Sequence, residues 1–236
     1  MTWRCTGSSL GLLFVVLLAS GDAPSPNVAA QKAGLSEFNG LVGGWRGVGQ
    51  PRRGSNAGAW TETSEWVWHF HESDVALDYL VKDGKILTNA RLSYSPVDKR
   101  YTLVANLPDK SQRTYTGKLD GKRLVLESDP QGEEIHRMTV NSLSDIRTLV
   151  LFEKRTAKQE QFSRVAEVGY TREGTRLARE GGTGPECVVT GGVGTITVMH
   201  KGKTYYVCCT GCKQAFEDDP EGVLAEYAER RAKEKK

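Results

Sequence analysis

From Gly43 to about Thr171 the chain alternates apolar and polar residues in short runs separated by turn residues, and this pattern constrains the fold more than any other feature. Trp60 to His71 is the clearest run. Trp66, Trp68 and Phe70 fall on one side of an extended chain, and Glu65, Val67 and His69 on the other. Tyr101, Leu103, Ala105 and Leu107 share a face in the same way. Asp83-Gly84 and Asp120-Gly121 each separate two apolar runs, a strong hairpin signal. The pattern predicts strands at 44–50, 60–71, 75–82, 86–94, 101–107, 114–119, 123–127, 133–140, 147–154 and 160–171, with no helical period between them. About ten sequential short strands read as an antiparallel meander. Closing it into an up-and-down β-barrel removes both sheet edges.

Three features of this region, Gly43-Gly44-Trp45-Arg46-Gly47-Val48-Gly49, the Trp66-x-Trp68 strand and the run of hairpins, resemble the lipocalin-like (calycin) barrels. The resemblance covers roughly residues 38–171, within a domain read as residues 36–172. It implies an interior that encloses a small apolar ligand. The alternative is an interior filled by Trp45, Trp60, Trp66 and Trp68. His69 and His71, two apart on one strand, are read as solvent-facing, because Trp66, Trp68 and Phe70 take the apolar side.

The tail carries different chemistry. Four of the five cysteines are Cys187, Cys208, Cys209 and Cys212. Cys187-Val188-Val189-Thr190-Gly191-Gly192 reads as a knuckle turn, 195–200 and 204–208 as a β-hairpin turning at Lys201-Gly202-Lys203, and 211–216 as the start of a helix. A second helix begins at Asp219-Pro220-Glu221. A module of this size buries too little apolar surface to fold unaided, so a metal or disulfide staple is expected. The order of elements brings Cys187, Cys208 and Cys212 towards one point, the last on a helix N-terminus that favours thiolate. Residues 187–236 are thus predicted to form a small treble-clef-like metal-binding domain after a flexible linker, 173–186, rich in glycine. The fold class is mainly β.

The spacing here is Cys187, twenty residues, Cys208, three residues, Cys212, followed by Lys213-Gln214-Ala215-Phe216 and Asp219-Pro220. With Gly202-Lys203-Thr204-Tyr205-Tyr206-Val207 before it, this resembles the TRASH/YHS family of small metal-binding domains, implicated in heavy-metal sensing, trafficking and resistance. The resemblance implies Cys187, Cys208 and Cys212 as ligands. Many relatives have a second knuckle cysteine where this chain has Thr190, a poor ligand for a soft metal. The fourth coordination place is open, taken by water, or taken by Cys209. Three thiolates suit zinc or copper(I).

Upstream, Arg4 precedes the apolar run Leu10 to Ala19, which has the length of a signal-peptide core and is too short to span a bilayer. Residues 1–30 are read as signal peptide and leader, with cleavage after Gly21 or Ala30 and a flexible stretch from Pro24 to about Gly34. The expectation is an exported protein, periplasmic or secreted, with no stable membrane insertion after cleavage. A net charge of +3 is too small to argue for nucleic acid.

A metal ion is the partner this reading favours, with no catalysis: no HExxH occurs, the G-x-S-x-G match Gly7-Ser8-Ser9-Leu10-Gly11 lies in the stretch read as signal peptide, and the acidic residues are read as charges on strand faces. The competing reading is a thiol-redox protein using Cys209-Thr210-Gly211-Cys212, or a disulfide-stabilised structural protein, since export places cysteines in an oxidising compartment.

Overall fold

The computed structural model describes residues 26–71, 73–173 and 185–234. The apolar run read as a signal and the glycines of the linker lie outside these residues. Ten antiparallel strands form a closed barrel: β1 (Gly43–Gln50), β2 (Trp60–Phe70), β3 (Val75–Lys82), β4 (Asn89–Ser95), β5 (Arg100–Asn106), β6 (Gln112–Asp120), β7 (Arg123–Ser128), β8 (Glu134–Ser144), β9 (Arg147–Thr156) and β10 (Ser163–Arg172). Each strand pairs with its neighbour in sequence, and β1 pairs with β10 to close the ring. The expected fold class is borne out.

Alternation decides what the barrel holds. Along β2, Trp60, Glu62, Ser64, Trp66 and Trp68 are buried. Along β5, Tyr101, Leu103 and Ala105 are buried. Trp66 stacks on Tyr79 of β3 at 4.4 Å between ring centres, and Trp68 on Phe70 at 5.5 Å. Trp45, Trp60, Trp66 and Trp68 are all buried, as the reading of a side-chain-filled interior expects. His69 and His71 take the outer face as read, beside Asp78 and Asp74 respectively.

Glu62 departs from the reading of acidic residues as surface charges. It lies on the inward face of β2, between Trp60 and Ser64. Trp60 Nε1 donates to its Oε2 at 2.5 Å, and Tyr170 of β10 donates to its Oε1. Tyr170 in turn shares a hydrogen bond with Tyr79 at 2.5 Å. Burial raises both phenols above the ordinary tyrosine range. A buried carboxylate needs such partners, since leaving it unpaired would cost more than the fold can spare.

A second correction concerns the leader. Residues read as flexible form a helix, α1 (Pro26–Leu35). Proline suits a first helical turn, and Val28 and Leu35, seven apart, share the face turned to the core. The helix lies across one end of the barrel. Tyr101 donates to Gly34 O at 2.9 Å, and Gln31 Oε1 accepts from Val75 N at 3.0 Å. Gly34 is required by packing: a Cβ there would fall 2.2 Å from the Tyr94 ring. A 3-10 turn (Ser36–Leu41) follows and seats Phe38 edge-on to Tyr101 at 5.1 Å. Leu35 is fully buried. Its replacement by alanine is expected to cost about 2–5 kcal/mol, read as a lower midpoint in denaturant unfolding.

The tail contains a hairpin, β11 (Ile196–His200) and β12 (Lys203–Val207), then α2 (Thr210–Asp218) and α3 (Pro220–Glu234). Lys201 and Gly202 both have positive φ, the turn expected between the hairpin strands. The tail packs against the barrel rather than standing apart from it. The last β1–β2 pair is Gly43 with Trp66, so residues 67–70 of β2 have no β1 partner. The start of α2 occupies this free edge, with Gly211 against the carbonyl of Trp68. Lys32 of α1 adds an ion pair to Glu226 of α3 at 2.7 Å.

Candidate metal centre

The centre is assembled from three local structures. Cys187 opens the knuckle, whose turn is closed by Cys187 N–H to Gly192 O at 2.7 Å and Gly191 N–H to Cys187 O at 2.9 Å. Gly191 has φ +80, a conformation that favours glycine. Cys208 follows the last residue of β12, and Cys212 lies in the first turn of α2. Arg230 of α3 ties the knuckle down by donating to the carbonyl oxygens of Cys187 and Val188, both at 3.2 Å.

This brings the Sγ atoms of Cys187, Cys208 and Cys212 within 4.8 Å of one another. Cys208 and Cys212 are 3.4 Å apart. All four tail cysteines are free thiols and buried. Three sulfurs in mutual contact, with no disulfide between them, are a donor set that fits a thiophilic cation.

Cys209 is placed differently. It is the N-cap of α2, and its Sγ accepts from Cys212 N–H and from the Trp68 N–H of β2, each at 3.5 Å. It is not a member of the mutually close set. Thr190 is buried beside that set, its hydroxyl donating to Cys187 Sγ at 3.4 Å and lying 3.5 Å from Cys208 Sγ. Met199 is exposed, and His200 pairs with Glu221 at 3.0 Å; neither belongs to the cluster.

Protons are shared unevenly among the sulfurs. Hydrogen bonds from Cys208 and Cys212 hold Cys187 and Cys209 far below the usual thiol range. Cys208 is pushed up, first by its hydrogen bonds to Cys187 and Cys209, and Cys212 is pushed up first by burial. The barrel contributes charge: Arg172 of β10 interacts electrostatically with Cys208, and Glu65 of β2 with Cys209 beside the cluster. Burial lowers the Arg172 guanidinium and raises the Glu65 carboxyl.

No protein-family model matches the chain. No curated protein matches it in sequence. Among solved structures it is similar to the S-type phycobiliprotein lyase CPES from Guillardia theta, at 11% identity and a TM-score of 0.35, over 59% of this chain and 92% of that one.

The docking of the tail had no signal in the sequence reading. Glu62 did have one: it falls two residues from Trp60 and four from Trp66, on the face the alternation assigns to the interior.

Proposed function

We propose that the chain is an exported, non-catalytic metal-binding protein that holds a thiophilic ion, zinc or copper, for metal handling or sensing. The observation that carries this reading is the convergence of three buried, free cysteine sulfurs within 4.8 Å. The order of knuckle, hairpin and helix, and the cysteine spacing, support a TRASH/YHS-type module with Cys187, Cys208 and Cys212 as ligands. Bound metal would supply the staple that so small a module needs and would neutralise the thiolates. Thr190 supports an incomplete protein shell, because its neutral hydroxyl stands where a fourth thiolate is common. A site with a place left open suits transfer of metal better than a closed structural site. Among the described residues no helix is long and apolar enough to cross a membrane. Export itself is inferred from the apolar N-terminal run.

Metal analysis of the freshly purified mature protein, paired with thiol titration after chelation, tests this. The expected result is near-stoichiometric zinc or copper and four titratable thiols. No metal and no titratable thiol would overturn it.

One observation favours the second reading, thiol redox chemistry through Cys209 and Cys212. Cys209 Sγ lies at the N-terminus of α2 and accepts two backbone N–H groups, an environment that stabilises a thiolate. Under that reading the same titration returns two thiols that vanish under a disulfide oxidant and return on reduction, without metal.

A further inference from the structure

Each piece of the tail that carries a converging cysteine is touched by the barrel or by the 3-10 turn before it. The knuckle with Cys187 is held by Asn39, whose Nδ2 donates to Thr190 O at 2.6 Å. A Cβ on Gly192 of the same knuckle would fall 3.3 Å from Asn39 Cβ. Cys208 reaches the start of β1. A Cβ on Gly43 would lie 3.8 Å from Cys208 O and 3.2 Å from Arg172 Nη1, and Gly43 has φ +108, which favours glycine.

Cys212 is reached from β2 through its neighbour. Cys209 Sγ accepts from the Trp68 N–H and from the Cys212 N–H, so a barrel amide and the amide of a converging cysteine share one sulfur. Gly211, one residue before Cys212, lies against the Trp68 carbonyl. Both main-chain groups of Trp68 therefore face the tail, on the edge of β2 that has no β1 partner.

These contacts act together only while the knuckle, Cys208 and the first turn of α2 keep a fixed spacing. The four tail cysteines are free, so no disulfide fixes it. One ion on three sulfurs would fix it, in a module too small to be rigid unaided. Without the ion the pieces open separately, as weakly stabilised segments do, and the docking contacts no longer add.

We propose that the barrel forms the outer shell of the metal centre and reports its occupancy: a filled centre keeps the tail docked on β2, and an empty one releases the Trp68 N–H and C=O as a free strand edge. This rests on the metal reading and adds its regulation. The link runs both ways, so docking raises metal affinity by the factor by which metal strengthens docking. The released edge, residues 67–70 of β2, is unpaired main chain of the kind that other chains pair with, which gives metal sensing an output on the barrel.

The test is amide hydrogen exchange on the full mature chain in reducing buffer, with and without saturating zinc, or cuprous ion should zinc not be held. Bound metal is measured in the same samples. The expected result is that metal slows exchange of the Trp68 amide by about 5–150-fold, the usual range of such couplings, and leaves the Leu103 amide of β5 unchanged. Asn39→Ala removes a docking contact without touching a sulfur, and should weaken metal affinity about fivefold, as loss of one net hydrogen bond does. Metal bound near stoichiometry with unchanged Trp68 exchange would overturn the coupling and leave the metal reading standing. Undiminished affinity in folded Asn39→Ala would do the same. Binding of neither ion would remove both. Should Asn39→Ala fail to fold, the exchange comparison on the unmodified chain decides.

Discussion

Gly211→Ala is expected to lift the tail off the barrel. A Cβ at Gly211 would stand 1.7 Å from the Trp68 carbonyl oxygen and 3.1 Å from Val67 Cγ1. The first contact is with backbone inside a closed barrel, which cannot swing aside as a flexible side chain can. Alanine is the better helix former, by about 1 kcal/mol, so local propensity favours the variant. Overpacking opposes it at the upper end of the usual 1–3 kcal/mol or beyond, because α2 must retreat and the Trp68 N–H to Cys209 Sγ bond is lost with it. The net expectation is a loss of about 2 kcal/mol and a fall in Tm of roughly 4–8 °C. The exchange rate of the Trp68 amide should rise as well. An unchanged Tm and a protected Trp68 amide would mean that the tail is not docked on β2.

Cys208→Ser and Cys209→Ser are expected to part company sharply although the residues are adjacent. Serine at 208 removes one of three converging sulfurs and leaves Cys187 and Cys212 as a pair. Loss of a residue that merely orients a ligand typically costs 10–100-fold in metal affinity, and loss of the ligand costs more, so a fall of about 100-fold or greater is expected. Serine at 209 keeps the N-cap, since its hydroxyl can accept the N–H groups that Cys209 Sγ now accepts, and serine is a favoured residue there. Its effect on affinity should be less than about tenfold. Competition titration against a chromophoric chelator separates the two cases. Equal losses would place Cys209 among the ligands.

How much of this was legible in the sequence follows from the range of the interactions. The barrel strands were readable because inward and outward positions alternate within each strand, and because Asp83-Gly84 and Asp120-Gly121 mark their turns locally. The cysteine cluster was readable because knuckle, hairpin and helix are consecutive, so Cys187, Cys208 and Cys212 meet within one short module. Helix α1 was missed because its sequence is mostly small and polar. Only Val28 and Leu35 reveal its buried face, and that face exists because the barrel end is there to cover. The role of Cys209 was missed for a related reason. Its partner, the Trp68 amide, is 141 residues away and is free only because β1 begins at Gly43 and leaves the end of β2 unpaired. The tail therefore gains support from the barrel as well as from any staple of its own, a dependence that the glycine-rich linker gave no reason to expect.

X-ray absorption at the metal edge of the protein as purified tests the three-sulfur centre most directly. The account predicts a first shell containing three sulfur ligands, at about 2.3 Å if the metal is zinc. A first shell of nitrogen and oxygen alone would contradict it.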